Sequence, residues 1–99
     1  MPKKQQSPIE MWQKCKAEYG GSIILVRVGD FFETYEQDAS MCELILGVRL
    51  AWRQEGIKPK YRVVLFVHTE IDAKLSKLIQ AGQRVGIVEW KPENKPQKV

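Results

Sequence analysis

Two β-type runs separated by only two residues constrain the fold of this chain more than any other feature. The runs cover residues 23–28 and 31–35, and Gly29-Asp30 lies between them. A two-residue connection that contains glycine favours a β-hairpin, because glycine supplies the positive φ that such a tight turn requires. The sequence therefore predicts an antiparallel strand pair from residue 23 to residue 35.

A helix is predicted before this hairpin. Ser7 is a favoured N-cap residue and Pro8 suits the first helical position. Gly20-Gly21 ends the pattern. The apolar residues between these signals recur at roughly helical spacing: Ile9, Trp12, Cys15 and Tyr19.

A second helix is predicted from about residue 37 to residue 46. Glu36 and Asp38 lie at its N-terminal end, where the helix dipole favours negative charge, and Gly47 is a natural stop. In residues 48–53, apolar side chains then alternate with polar or small ones, which predicts a half-exposed strand. Residues 54–59 form a loop, and residues 61–67 are a further β-rich run.

The last third of the chain predicts one more helix and one more strand. Thr69 and Asp72 have the spacing of a capping box, and an apolar stripe follows them up to Gly82. Residues 84–90 complete the pattern as a strand. The order α-β-β-α-β-β-α-β predicts an α/β fold in which about three helices pack on a mixed sheet.

Size and charge set the broad class. A chain of 99 residues is long enough for one domain, predicted over residues 7–90, with disordered tails at 1–6 (basic) and 91–99 (rich in Pro and Lys). The net charge of +4 favours polyanionic partners, chiefly nucleic acid, over acidic ones.

Cysteine and histidine usage argues against a metal centre. Cys15 and Cys42 form no CxxC pair, and His68 is the one histidine. We expect two reduced thiols, although one bridge is compatible with the sequence, and neither zinc nor another cofactor. The apolar runs are too short to span a membrane, so a cytoplasmic protein is expected.

The segment from Val28 to Tyr35 carries the functional signal. On a strand, side chains two residues apart point to the same face. Phe31, Glu33 and Tyr35 therefore share one face, and Phe32 and Thr34 share the other. An aromatic ring and a carboxylate stand side by side after a tight turn, but the pattern does not decide which face enters the core.

This segment, Gly29-Asp30-Phe31-Phe32-Glu33, resembles the Gly-Asp-Phe-aromatic-Glu stretch of the MutS mismatch-recognition domain family. Residues 75–89 also follow that family's helix-Gly-strand pattern, and the likeness extends from about residue 7 to residue 90. One stretch departs: the family's Gly-Ile-Pro-x-His corresponds here to residues 64–68, which keep His68 and lack the glycine and proline.

The resemblance implies a non-catalytic module that binds mismatched or distorted duplex DNA from the minor groove. Phe31 is implied as the wedge stacked on a mispaired base, and Glu33 as its hydrogen-bonding neighbour. The candidate phosphate contacts surround one loop: Arg49, Arg53, Lys58, Lys60 and Arg62. Mismatch-repair proteins are further expected partners, in the cytoplasm at the nucleoid. The chain lacks a G-x-x-x-x-G-K-[ST] motif, so ATP hydrolysis by it is not expected.

Two other classes of function stay open. The fold can serve as a protein-interaction or regulatory module without reading mismatches. A small nuclease is the third class, since Asp72-Ala73-Lys74 has the D-x-K form of some metal-dependent nucleases. That tripeptide falls on a predicted helix and lacks a strand carboxylate beside it, so we expect no nuclease activity. Whether the chain is the first domain of a longer protein or a separate descendant also stays open.

Overall fold

The computed structural model describes residues 6–91. Its elements follow the predicted order, with one added 3₁₀ turn, His68–Glu70, before the third helix. The helices and strands are α1 (Pro8–Glu18), β1 (Ser22–Val28), β2 (Phe31–Tyr35), α2 (Glu36–Leu46), β3 (Ala51–Arg53), β4 (Tyr61–Val67), α3 (Ile71–Gln80) and β5 (Arg84–Glu89). The predicted tails lie outside the described residues, except for Gln6 and Lys91.

The strands form one five-stranded mixed sheet in the order β3-β4-β2-β1-β5. β1 and β5 are parallel, and the other three pairings are antiparallel. The predicted hairpin is present, because Val28 pairs with Phe31 across a turn in which Gly29 has φ +62°. The predicted α/β fold with a mixed sheet and three helices is thus confirmed.

Helices cover both faces of this sheet. On one face α1 packs over an aromatic cluster in which the rings of Trp12 and Tyr35 meet edge to face, 6.0 Å between centroids. On the other face α2 and α3 enclose a second cluster that contains Phe32 and Phe66, 5.8 Å apart. The hydrophobic core is therefore divided by the sheet into two layers.

The helix starts differ from one another. Ser7 caps α1 as predicted: its hydroxyl accepts from the Glu10 amide at 3.3 Å, and the Glu10 carboxylate accepts from the Ser7 amide at 2.9 Å. The predicted capping box at Thr69 and Asp72 is wrong. α3 begins at Ile71 after the 3₁₀ turn, so its N-cap position is Glu70 and not Thr69, and no side chain caps it.

The third strand is shorter than predicted. β3 holds only Ala51–Arg53, and residues 47–50 cross from α2 to the edge of the sheet without pairing. Val48 and Leu50, whose alternation suggested a strand, pack as half-buried residues against the core on the α2 side. These two positions are apolar because their side chains pack against the core, and not because they belong to a strand. The alternating pattern therefore predicts a start of β3 that is three residues too early.

Candidate functional site

Strand β2 places Phe31, Glu33 and Tyr35 on one face, as the sequence predicts, and the structure shows that this is the face that α1 covers. Along this face the side chains pass from exposed to buried: Phe31 is 42% exposed, Glu33 9% and Tyr35 0%. Tyr35 lies under α1, whereas Phe31 belongs to neither buried cluster. The helix therefore covers the Tyr35 end of the strand and leaves the aromatic ring beside the hairpin turn open to solvent.

Other apolar residues surround Phe31 on this face. In β pairing, residues directly opposite each other point to the same side of the sheet. Phe31 lies opposite both Val28 and Val67, and Glu33 lies opposite Leu65, which is 40% exposed. These four residues, Val28, Phe31, Leu65 and Val67, form an apolar surface that we call the hairpin patch. It borders the Glu33 carboxylate directly.

The carboxylate of Glu33 is held by two neighbours. Its Oε1 accepts from the Tyr35 hydroxyl at 2.6 Å and from Arg53 Nη1 at 2.9 Å, while Oε2 accepts from Arg53 Nη2 at 3.4 Å. The arrangement is a forked ion pair, which fixes direction as well as distance. Glu33 is thus part of an ordered network at the border of the hairpin patch and not a freely solvated strand residue.

Two pKa values reflect this network. Burial, and then the hydrogen bond to Glu33, raise the pKa of Tyr35 well above its usual 10, so its hydroxyl stays protonated and able to donate. Burial alone lowers the pKa of Arg53, but the hydrogen bond and the charge of Glu33 outweigh it and raise that pKa. Both groups are therefore permanent donors to Glu33 across the physiological pH range.

The other predicted cations lie on both sides of β3: Arg49 precedes it, and Lys58 and Lys60 lie on the loop that follows it, residues 54–60, which we call the basic loop. Arg49, Lys58 and Lys60 are exposed. Lys58 Nζ is 3.9 Å from Glu10 Oε2, a distance at which an exposed pair contributes little. Lys58 and Lys60 lie beside α1, where they line a shallow pocket with Ile9 and Glu10.

Arg62 does not join this group. Its neighbours along β4, Tyr61 and Val63, face α1, so Arg62 points to the opposite side of the sheet. There its guanidinium donates to Glu36 at 3.2 Å and to the Ser40 hydroxyl at 3.0 Å. It ties β4 to α2 and lies away from the hairpin patch.

The basic loop and the hairpin patch lie at opposite ends of one sheet face. Phe31 pairs with Val67, and Tyr61, where the loop joins β4, is six residues away along the strand. At about 3.3 Å per residue the separation is roughly 20 Å. Along a duplex, about 20 Å corresponds to about six base pairs, so the patch and the loop can contact a base step and a phosphate of the same duplex.

His68 and the D-x-K tripeptide lie at the end of β4 and on α3. The His68 amide donates to the Asp30 carbonyl at 2.8 Å and ties the hairpin turn to the end of β4. Asp72 and Lys74 lie on α3, as predicted, and Lys74 pairs with Glu70 at 3.3 Å. Residues 6–91 contain no group of three or more side chains able to hold a metal ion. Within the same range, no helix is long and apolar enough to cross a membrane.

Sequence reasoning missed the apolar neighbours of Phe31, such as Leu65, and the bond between Arg53 and Glu33. Leu65 lies in a run of apolar residues, and nothing in that run distinguishes the exposed member from the buried ones. The bond between Arg53 and Glu33 spans twenty positions, and it depends on β3 and β2 flanking the same strand. The spacing of Glu33 and Tyr35 was a usable signal, because residues two apart on a strand are neighbours.

The fold and this site define a small α/β domain with an exposed aromatic residue and a held carboxylate beside a hairpin turn. The family model for MutS domain I matches residues 6–99, and the chain belongs to that family.

The relatives it matches are all far longer. The DNA mismatch repair protein MutS of Cytophaga hutchinsonii is 34% identical over 79 residues, covering 80% of this chain and 9% of the relative. The protein of the same name from Porphyromonas gingivalis is 37% identical over 85 residues, covering 86% and 10%. That of Bacteroides thetaiotaomicron is 42% identical over 72 residues, covering 73% and 8%. The chain therefore spans no more than a tenth of the length of these relatives.

Proposed function

We propose that this chain is a non-catalytic DNA-binding module of mismatch repair, which recognises mismatched or distorted duplex from the minor groove. The observation that carries the proposal is the exposed Phe31 beside the held carboxylate of Glu33, at the hairpin of a domain whose relatives are named DNA mismatch repair proteins. The proposal includes action on DNA at the nucleoid, together with other repair proteins.

Phe31 has the properties of a groove wedge. Its ring projects from paired β-structure, flanked by Val28 and Val67, so it is presented by a rigid frame and not by a loop. Inserting an apolar wedge unstacks a base step at a cost of about a few kcal/mol and kinks the duplex. A mispaired base is already poorly stacked, so the same insertion costs less there. Discrimination then follows from deformability.

Glu33 supplies the polar part of the recognition. A carboxylate near phosphates weakens binding unless it accepts a hydrogen bond from the nucleic acid. Its position next to Phe31 puts it within reach of the base on which the ring stacks. Because the carboxylate opposes phosphates in every complex and offsets this only where a base donor meets it, Glu33 contributes selectivity more than affinity.

Exposed cations supply the general attraction. Arg49, Lys58 and Lys60 are proposed to contact phosphates, and the net charge of +4 supports this. A single DNA-binding module buries roughly 600–1,000 Å². We therefore expect the dissociation constant at physiological salt to be about micromolar or weaker, near the range of non-specific binding.

Fluorescence anisotropy on matched and G·T-containing duplexes tests the proposal. We expect wild type to bind the G·T duplex more tightly, and Phe31→Ala to weaken that complex about tenfold, as loss of one base-aromatic stack implies. Leu44→Ala is the matched control, because Leu44 is an exposed apolar residue (79%) on α2, across the sheet from Phe31. It should change neither affinity.

Equal binding of wild type to both duplexes, or no binding, would contradict the proposal. That result would favour a protein-interaction module that keeps the fold. Cleavage of either duplex with magnesium present would contradict the non-catalytic assignment. Thermal melting of Phe31→Ala separates lost contact from lost folding, and little change is expected since the ring lies outside both core clusters.

A further inference from the structure

The pairing of Glu33 with Arg53 gives Arg53 a different role from the other cations. The Arg53 side chain is 33% exposed and that of Glu33 is 11% exposed. The guanidinium reaches across one strand, β4, to meet the carboxylate, because β3 and β2 flank β4. Arg49 and Lys60 are, in contrast, exposed residues just before and after β3 and its loop.

We propose that Arg53 is a positioning and specificity residue that acts through Glu33 and does not bind phosphate. This inference rests on the proposed function. Arg53 neutralises the carboxylate that a DNA backbone would otherwise meet beside the wedge. It also fixes the carboxylate in the direction in which a base edge can reach it.

The first effect is electrostatic. An unpaired carboxylate at the hairpin patch would repel every duplex, matched or not, because phosphates lie on both sides of the groove. The forked bond from Arg53 places a full positive charge 2.9 Å from Glu33 Oε1. The pair then presents no net charge to the backbone, and repulsion does not cancel the energy of the aromatic stack.

The second effect is directional. An ionised carboxylate has about four acceptor positions. Oε1 accepts two short bonds, at 2.6 and 2.9 Å, whereas Oε2 accepts from Arg53 at 3.4 Å. Oε2 is thus the oxygen better able to accept a bond from a base. Tyr35 and Arg53 together occupy Oε1 and fix the orientation of the carboxylate. Oε2 then remains as an acceptor in a defined direction, where it can bind a donor of an unpaired base.

A double-mutant cycle on the 99-residue chain tests this role. On matched duplex we expect Glu33→Gln to tighten binding, because it releases the Arg53 charge. Arg53→Gln should weaken binding several-fold, because it leaves Glu33 uncompensated. The double variant Glu33→Gln/Arg53→Gln should return to within about twofold of wild type on matched duplex and keep only the part of the G·T preference that Phe31 supplies.

The salt dependence supplies a second readout. Replacing one neutral ion pair by two neutral side chains leaves the number of phosphate contacts unchanged, so the double variant should keep the wild-type slope of log K against log salt. Lys60→Gln is the matched control for a true phosphate contact, and its slope should fall by about 0.9. Arg53→Lys should keep the affinity for matched duplex and lose part of the G·T preference, since lysine lacks the forked geometry.

Two results would overturn the inference and separate it from the proposed function. If the double variant binds matched duplex as weakly as Arg53→Gln, with a slope lowered like that of Lys60→Gln, Arg53 is a phosphate contact and the mismatch-reading proposal still stands. If wild type shows no preference for the G·T duplex, both proposals fail. Melting curves check folding, and Arg53→Lys provides the comparison if Arg53→Gln is unfolded.

Discussion

The indole N–H of Trp12 donates to Asp38 Oδ2 at 2.9 Å and joins α1 to α2. The same oxygen accepts from the Ile24 amide at 3.0 Å, and Lys16 Nζ is 2.9 Å from Oδ1. β1 and β2 pair only where Val26–Val28 faces Phe31–Glu33, so the polar groups of Ile24 need side-chain partners. Asp38 accepts from its amide, and the Thr34 hydroxyl donates to its carbonyl at 2.8 Å.

Asp38→Ala should strongly destabilise the fold. It removes the acceptor of an indole N–H and a backbone N–H, and the carboxylate that pairs with Lys16, in a site where Asp38 is 4% exposed. Breaking a buried pair from one side costs about 3–5 kcal/mol. Urea unfolding at constant m-value measures the change. Asp38→Asn, which keeps the shape and one acceptor oxygen, should cost less.

Asp72→Ala is the control for this comparison, because Asp72 is an exposed acid on α3. Its effect should stay within about 0.5 kcal/mol of wild type, as for most surface substitutions. An Asp38→Ala variant as stable as Asp72→Ala would show that the contacts of Asp38 do not hold the two helices to the sheet.

Local signals predicted much of this fold. The hairpin depends on Gly29 and its two flanking runs, and the shared face of Phe31 and Glu33 follows from the strand period alone. The start of α1 follows from Ser7 as the N-cap and Pro8 at the first helical position. Each of these features is decided within a few residues, so sequence reasoning reached them.

Features decided by tertiary packing were out of reach. How far α1 extends over the sheet decides that Phe31 is exposed and Tyr35 buried, and no local pattern gives this. The Glu33–Arg53 bond depends on strand order. The same limit explains the error at Thr69, which lies within a 3₁₀ turn, so that the N-cap position of α3 is Glu70.

Gly29→Ala should destabilise the hairpin by about 1 kcal/mol, the cost of a left-handed conformation for a residue with a Cβ atom. Gly29 has φ +62°, and an added Cβ would meet no atom within 4 Å, so the cost comes from the backbone alone. Thermal unfolding at equal concentration measures it. A stability equal to wild type would show that the turn relaxes without cost.

Gly21→Ala is the matched control for that substitution. A Cβ at Gly21 also meets nothing within 4 Å, but its φ lies outside the left-handed region. Replacing a glycine of ordinary conformation restricts the unfolded chain, so Gly21→Ala should be neutral or stabilising by up to about 1 kcal/mol.

The two thiols should differ in reactivity. Cys42 is fully buried, and burial followed by the charge of Asp38 raises its pKa to about 12, whereas Cys15 is half-buried on α1. Because the thiolate is the reactive form, Ellman's reagent at pH 8 should modify Cys15 alone in the native protein and both thiols in guanidinium. Native Cys15→Ser should therefore not react. Rapid reaction of that variant would contradict the burial of Cys42.

Stability should fall at alkaline pH. Burial, with the Glu55 hydrogen bond as the next cause, raises the pKa of Tyr61 from 10.0 to about 12, and that of Cys42 rises from 9.0 to about 12. A group whose pKa is higher in the folded state stabilises the fold fully below its unfolded pKa. That stabilisation is lost as pH rises toward the folded value, by about 1.4 kcal/mol per pH unit and group.

The free energy of unfolding attributable to these groups should therefore be constant below about pH 9 and decline between pH 9 and 12. Cys42→Ala removes the group that titrates first, so its decline should begin near pH 10, the unfolded pKa of tyrosine. Tyr61→Phe keeps the ring that packs 5.8 Å from Tyr35. Above pH 10 the free energy of unfolding of this variant should fall less steeply with pH than that of wild type, by about 1.4 kcal/mol per pH unit, because one titrating group is gone. Urea titrations from pH 8 to 11 measure both. If Cys42→Ala declines from pH 9 as steeply as wild type, deprotonation of that buried thiol does not drive the loss.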